Sequence, residues 1–364
     1  MLQLERRAAA SHRAMLVAPF AAVAFTLVVT SLLVAWAGAP VGRAYALLLE
    51  GGFGSRFAWS ETLTRAVPLI LTGLSVAVAF RARLYNIGAE GQLYLGALAA
   101  VAVGGLHGGE GFSALPPWLL FALMMLAAAA AGALLLLGPA WLKTRLGVDE
   151  VVTTLLLNFI VLLFVSWMLD GPMKDPTAMG WPQSVALQDS MNLSRLVERS
   201  RLHSGLVWAL ALALLLWALL ERTTLGLQIR AVGANARASA FAGVAVGRTT
   251  VLVALLSGAL AGLAGAIEVA GRAGYVTLDM SPGYGYSGIV VAMLAALNPL
   301  GVVAAAIFVA GILVGADSMS RAVAVPTYIA DVIVSVSLLA MLVAAMLARY
   351  RIRWTHRTGA AHVR

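Results

Sequence analysis

Apolar residues in this chain do not alternate with polar ones. They collect in ten runs, at residues 15–37, 64–80, 84–106, 118–138, 150–169, 204–220, 248–270, 283–297, 299–316 and 326–347. An α-helix needs roughly 17–25 apolar residues to cross the hydrocarbon core of a bilayer. The pattern therefore predicts an all-α membrane protein with about ten transmembrane helices. The run 283–297 is short for a span and opens with Pro282, Gly283 and Gly285, so it is read as a broken or re-entrant element. Arg6, Arg7 and Arg13 precede the first run as they would in a signal peptide. That run is too long for one, and Ala39-Pro40 is a poor cleavage context, so it is read as a helix.

Composition closes off other classes. Hydrophobic residues make up 61% and charged residues 11%, against roughly 45–50% and 25% in soluble domains, and the mean hydropathy is +0.92. A soluble enzyme is excluded. The absence of cysteine removes disulfide scaffolds, thiolate zinc sites and thiol catalysis. The net charge of +9 would raise nucleic acid as a partner in a soluble protein, but here the basic residues lie at the chain ends and between apolar runs. They are read as topology signals facing lipid headgroups, and no nucleic-acid partner is expected.

With residue 1 placed in the cytoplasm, the inner segments hold 16 of the 25 Lys and Arg. This bias predicts both termini inside and an even number of crossings. The resulting organisation is a cytoplasmic tail at 1–14, a transmembrane domain at 15–347 and a basic cytoplasmic tail at 348–364. The segment 170–203, with three prolines and both signs of charge, faces outward, where it either receives a soluble partner or forms a solvated loop with a short interfacial helix. The segment 222–247 faces inward. Gly-rich stretches near 85–96 and 281–288 fall in opposite halves, where transporters with two related halves place broken helices around a midplane site.

Motif absences narrow the chemistry. The only lysines, Lys143 and Lys174, follow Leu142 and Met173 rather than glycine, so no nucleotide-hydrolysing P-loop is present. Neither HExxH nor GxSxG occurs, and all five histidines lie outside the predicted spans.

Several polar residues stand inside apolar runs. Asn86, Glu90 and Gln92 open one run, with Asn86 and Glu90 on one helical face. A carboxyl group near lipid is a functional candidate; the alternative is that Glu90 sits at the interface, paired with Arg81 or Arg83. Gly88, Gly91 and Gly96 would admit a close backbone neighbour. Thr154 and Asn158 project together from the next helix, either toward a polar solute or as bonds between helices, while Asp149 and Glu150 suit its first turn. Glu268 and Asp331 bind solute, carry a proton or pair with Arg272 and Arg321. Tyr284, Tyr286 and Ser287 stand beside glycines that tolerate irregular backbone, which at membrane depth is allowed only where protein or a water-filled cavity covers it. In 222–247, Leu225, Ile229 and Val232 recur at helical spacing and Asn235 is a helix cap. Such a helix lies against a cytoplasmic partner or on the lipid surface.

Four stretches occur in an order that resembles a known family: YNIGAEGQ (85–92), DEVVTTLLLN (149–158), GLQIRAVGANARASAFAG (226–243) and PGYGYSGIVVAMLAALNPLG (282–301). They are similar to permease subunits of bacterial ABC importers for simple sugars and nucleosides, over roughly residues 60–347. The NIG-x-EGQ form resembles the nucleoside branch, whose binding proteins are lipoproteins of the basic-membrane-protein type and in which two different permeases pair. This chain looks like the longer member. The resemblance implies a ten-helix core similar to the vitamin B12 importer class. It also implies a coupling helix, carrying Gly233, Asn235, Ala236, Arg237, Ala240 and Gly243, that docks into a cleft of a separate ATPase subunit. Asn86, Glu90 and Gln92 belong to the family signature. The chain departs from the pattern at Asp149, where Asn is common, at Ala295 and Ala296, and at Val332-Ile333-Val334, which lacks a frequent glutamine. These departures leave the solute open.

The expectation is thus a multi-pass permease of the bacterial cytoplasmic membrane, not itself an enzyme. It works by alternating access with helices around 85–96, 150–160 and 281–290 lining the path. No cofactor is bound by this chain, since the partner hydrolyses ATP. Its partners are the ATPase, a second permease, an external solute-binding lipoprotein and membrane lipid. The rival is a proton-coupled secondary transporter using Glu90, Glu268 or Asp331.

Overall fold

The structure is a computed structural model that describes residues 2–6, 12–105, 115–323 and 350–354, with isolated positions between 328 and 343. The chain divides into a smaller unit, Met1–Leu49 with Gly315–Arg364, and a larger one, Glu50–Val314.

In the smaller unit, β1 (Leu2–Arg6) pairs antiparallel with β2 (Tyr350–Trp354), so the two tails lie side by side. This ribbon is an addition to the all-α expectation. Helix α1 (His12–Trp36) is followed by a turn through Gly38, in the left-handed region at φ 77°, and by α2 (Val41–Phe53). The Tyr45 hydroxyl donates to Leu27 O at 2.7 Å and meets the Thr30 hydroxyl at 2.8 Å, closing the corner. The apolar runs miss α2, because Arg43 and Glu50 interrupt its hydrophobic pattern.

The larger unit is helical. Helix α3 (Arg56–Arg81), capped by Ser55, is buried on nearly every side. It packs against α10 (Val246–Glu268), and α10 packs against α4 (Ala89–Gly104) and α5 (Pro117–Leu146). Helix α6 (Glu150–Asp170) lies on α4, and α7 (Gly205–Arg222) lies on α3. The short α11 (Tyr284–Leu294) seats on α3 and leads to α12 (Pro299–Val323). Between α7 and α10 come α8 (Thr224–Ala234) and α9 (Ala236–Phe241). Close approach is made possible by glycine: a Cβ on Gly96 would collide with the carbonyl of Gly262, and one on Gly132 with that of Gly258. Small residues at such crossings are the usual means by which membrane helices pack.

Nine of the ten apolar runs fall on helices; the tenth, 326–347, is described only at isolated positions, and Asp331 lies outside the described residues. Six helices among the described residues are long and apolar enough to cross a membrane, and α1 with α2, bent by 116° at their break, form either a broken span, which would be a seventh, or a re-entrant loop. Helices α4 and α11 are shorter. Helix α4 is also shorter than its run, because residues 84–88 leave helical geometry after Arg83, at φ 55°.

In the segment 170–203 the short helix expected there is a single 3-10 turn at Asp189–Met191. The segment's backbone bonds to the chain that follows α10. Ser184 N donates to Val276 O, Leu187 N to Gly274 O, and Leu193 N to Ala270 O. The last acceptor lies in the π-helical turn Val269–Ala273, whose altered bonding suits a carbonyl that serves a partner outside the helix.

His203 ends this segment with its ring buried, and its Nδ1 accepts from Gly205 N at 3.2 Å. Burial, and then the charge of Arg272, push its pKa down to about 4, whereas an unfolded histidine titrates near 6.5. The unfolded chain therefore binds the extra proton between these values. The stability tied to a neutral His203 is complete above about pH 6.5, falls as pH drops through the window, and levels off below about 4. The thermal midpoint of the detergent-extracted chain should fall between pH 7 and 5 more steeply than that of His203→Gln; parallel curves would refute this.

Candidate functional site

Helix α6 presents Glu150, Thr154 and Asn158 on one face, at the i, i+4, i+8 spacing of its own sequence, with Asp149 capping its start through Val151 N at 2.8 Å. This face reads the non-helical stretch that leads into α4. Glu150 accepts from Tyr85 N at 3.1 Å, Thr154 Oγ1 from Ile87 N at 3.2 Å, and Asn158 Oδ1 from Gly91 N at 2.9 Å. The Asn158 amide donates to Ile87 O at 2.9 Å and to the Tyr286 hydroxyl at 3.1 Å. Lys143 pairs with Glu150 and donates to Arg83 O at 2.6 Å.

Behind this stretch, Asn86 and Gln92 bond reciprocally, each amide donating to the other's carbonyl at 2.9 Å. Asn86 also donates to Ser257 Oγ on α10 at 3.0 Å and accepts from Gly88 N at 3.0 Å. Ser257 in turn donates to Ser75 O on α3 at 2.8 Å. The bonds thus join α3, α4 and α10 in one buried polar network.

Glu90 is buried, and it does not pair with Arg81 or Arg83. Its Oε2 accepts from Gly285 N at 2.6 Å, in the first turn of α11. The two helix starts abut so closely that a side chain on Gly285 would collide with the backbone of Glu90. Helix N-termini present unsatisfied N–H groups, and here one side chain in the first turn of α4 serves α11. Arg81 is turned away to Glu221. Glu268 pairs with Arg272, the structural alternative for that residue, and Arg272 donates to Met280 O at 3.0 Å.

Of the eight predicted pathway residues, Asn86, Glu90, Gln92, Thr154, Asn158 and Tyr284 are buried, the first five engaged in bonds within the chain. Tyr284 gives its backbone carbonyl to Thr72 at 3.0 Å. Tyr286 is 38% exposed and Ser287 half-buried, so these two carry the polar groups of α11 to the surface.

The second predicted group lies on α8 and α9. Gly226, Ile229 and Val232 bury one face of α8, and Gly233 lies against the carbonyl of Arg81, where a side chain would collide. Asn235 ends α8 and caps α9, accepting from Ala238 N at 3.1 Å. Beyond this cap Ala236, Arg237 and Ala240 are exposed, and Gly243 closes α9 at φ 85°. Phe241, which the sequence reading passed over, is 96% exposed at the end of α9. Its signal is an aromatic residue set among Ala, Ser and Gly. Glu150 was read as a helix start alone; its place four residues before Thr154 marks it as part of the same face.

A family model described as "Branched-chain amino acid transport system / permease component" matches residues 58–346. The chain is 36% identical over 326 residues to the guanosine ABC transporter permease protein NupP of Bacillus subtilis, covering 89% of this chain and 92% of that protein. It is 35% identical to the glucose ABC transporter permease protein TsgB13 of Haloferax volcanii, over 85% of this chain and 82% of that one. It is 32% identical to the nucleoside ABC transporter permease protein NupB of Lactococcus lactis, with 76% and 77% covered.

The geometry makes Asn158 a structural anchor. Replacing it with the near-isosteric Leu leaves Gly91 N and Ile87 O without partners, at about 1–3 kcal/mol each. Asn158→Leu should therefore lower unfolding stability by about 2–6 kcal/mol while leaving apparent solute affinity unchanged below the melting range. Altered affinity with unaltered stability would instead place this side chain in the path.

Proposed function

The chain belongs to the branched-chain amino acid transport system permease family, and from that premise we propose that it is a transmembrane subunit of an ABC importer carrying a nucleoside. The likeness to guanosine and nucleoside permeases supports this solute over a simple sugar, and the glucose relative marks the sugar as the alternative. The chain supplies the path and a separate subunit hydrolyses ATP, in keeping with the lack of a P-loop.

Both tails face the cytoplasm in this reading, which the side-by-side pairing of β1 with β2 supports, and the protein crosses the bacterial cytoplasmic membrane with about ten helices. A second, related permease completes the path. The exposed Tyr286 and the half-buried Ser287 face the solute, while Asn86, Glu90, Gln92, Thr154 and Asn158 hold the broken helices behind them. The ordered 170–203 segment receives an external binding protein.

The observation that carries the coupling role is α9 itself: a capped, exposed helix ending in Phe241, carried on the seated α8. Large apolar anchors at the centre of an interface carry much of its affinity. Phe241→Ala should weaken ATPase association by about tenfold or more, and Arg237→Glu should also weaken it, with the permease still inserted and folded. Undiminished co-purification of the ATPase with both variants would remove α9 from the coupling role.

For the solute, cells lacking only this chain should lose ATP-dependent uptake of labelled guanosine. Unlabelled nucleosides should compete in the parent strain and pentoses should not. Competition by sugars would leave the permease reading intact and overturn the nucleoside assignment.

A further inference from the structure

Glu221 lies in the last turn of α7 and is the only acidic residue between 221 and 248, among four arginines. Its two oxygens go to two different elements. Oε1 meets Arg81 Nη1, the last residue of α3, at 2.8 Å, and Oε2 meets Arg230 Nη1 on α8 at 2.5 Å. Arg230 also donates to Leu220 O at 2.7 Å, fixing α8 to the end of α7.

Arg81 has a second engagement. Its Nε donates to Leu297 O at 3.0 Å, in the turn between α11 and α12. In that turn Ala296 and Leu297 stand at φ 49° and 62°, two consecutive non-glycine residues in the left-handed region. Such a conformation is strained for side chains with a Cβ and persists only where its surroundings hold it. Leu297 N reaches back to Ala292 O at 2.8 Å, so the turn is continuous with the last turn of α11.

We infer that Arg81 and Glu221 are positioning residues that transmit displacement of the coupling segment to the α11–α12 turn. This rests on the coupling role proposed for α9. The connection runs through contacting groups: α9 follows α8 across the Asn235 cap, α8 is held by Arg230 and by Gly233 against the Arg81 backbone, and the Arg81 guanidinium holds the turn. From there α11 leads to Gly285 and its bond with Glu90. A guanidinium serves both ends because its N–H groups form a rigid fork, whereas a lysine ammonium on a flexible stem does not fix two directions at once. A simple rim ion pair would contribute little and transmit nothing. In this inference the strained turn is the element that takes a second arrangement, as coupling between distant groups requires.

The lack of native cysteine permits a direct test in the complete complex with its ATPase. Leu300, 45% exposed in the first turn of α12, accepts a spin label as Leu300→Cys. Label mobility is compared with and without a trapped ATP analogue. In the otherwise unaltered chain the nucleotide should shift the spectrum, and Arg81→Lys or Glu221→Gln should reduce the shift by about twofold or more with ATPase association intact. Arg222→Gln, whose guanidinium lies over Trp217 instead, should retain it.

No nucleotide-dependent shift in the unaltered chain, or an equal shift in both cluster variants, would overturn the inference. Loss of assembly in both cluster variants, with Arg222→Gln assembling normally, would also overturn it and reduce the cluster to a clamp. The readout involves no solute, so it is independent of the nucleoside assignment. Failure of the coupling reading shows separately, as ATPase association indifferent to Arg237→Glu and Phe241→Ala.

Discussion

Backbone polar groups have no water to turn to inside a bilayer, so a stretch that leaves helical geometry there must find every partner within the protein. The lead-in to α4, largely buried by the helices around it, meets the same requirement, and the face of α6 answers it group by group. Tyr85 N, Ile87 N, Ile87 O and Gly91 N each meet a side chain at positions 150, 154 or 158. With that stretch fixed, Asn86 and Gln92 are placed to bond each other and Ser257, and Glu90 is placed at the start of α11. The arrangement of α3, α4, α10 and α11 follows from satisfying a few residues of irregular backbone.

That dependence reframes the polar residues inside apolar runs. A side chain whose donors and acceptors are engaged within the chain contributes rigidity, while Tyr286 reaches the surface of α11. The Asn158 bond to the Tyr286 hydroxyl links the two sets, so the buried framework orients an exposed ring. Buried polar networks of this kind are consequential because leaving one member without a partner in a low-dielectric interior is costly.

Much of this was legible in the sequence. The spacing of Thr154 and Asn158, the Asn235 cap, the pairing open to Glu268 and the shortness of the 283–297 run all follow from local rules of helix geometry and membrane burial. What sequence could not yield was the partner of Glu90. Beside the Ser281 side chain it is a backbone N–H at Gly285, and no side-chain pattern marks a backbone donor almost two hundred residues away. Helix α2 was missed because two charged residues break its apolar pattern. Glu221 was passed over because the topology count takes only Lys and Arg and leaves an acid in a basic segment out of view, while the structure uses its two oxygens as a junction.

Helix α11 has 11 residues, which at about 1.5 Å per residue is close to 16 Å, roughly half of a 30 Å hydrocarbon layer. A helix of that length does not cross such a layer alone, so both of its ends depend on partners from the rest of the protein, and Glu90 at Gly285 N supplies one of them.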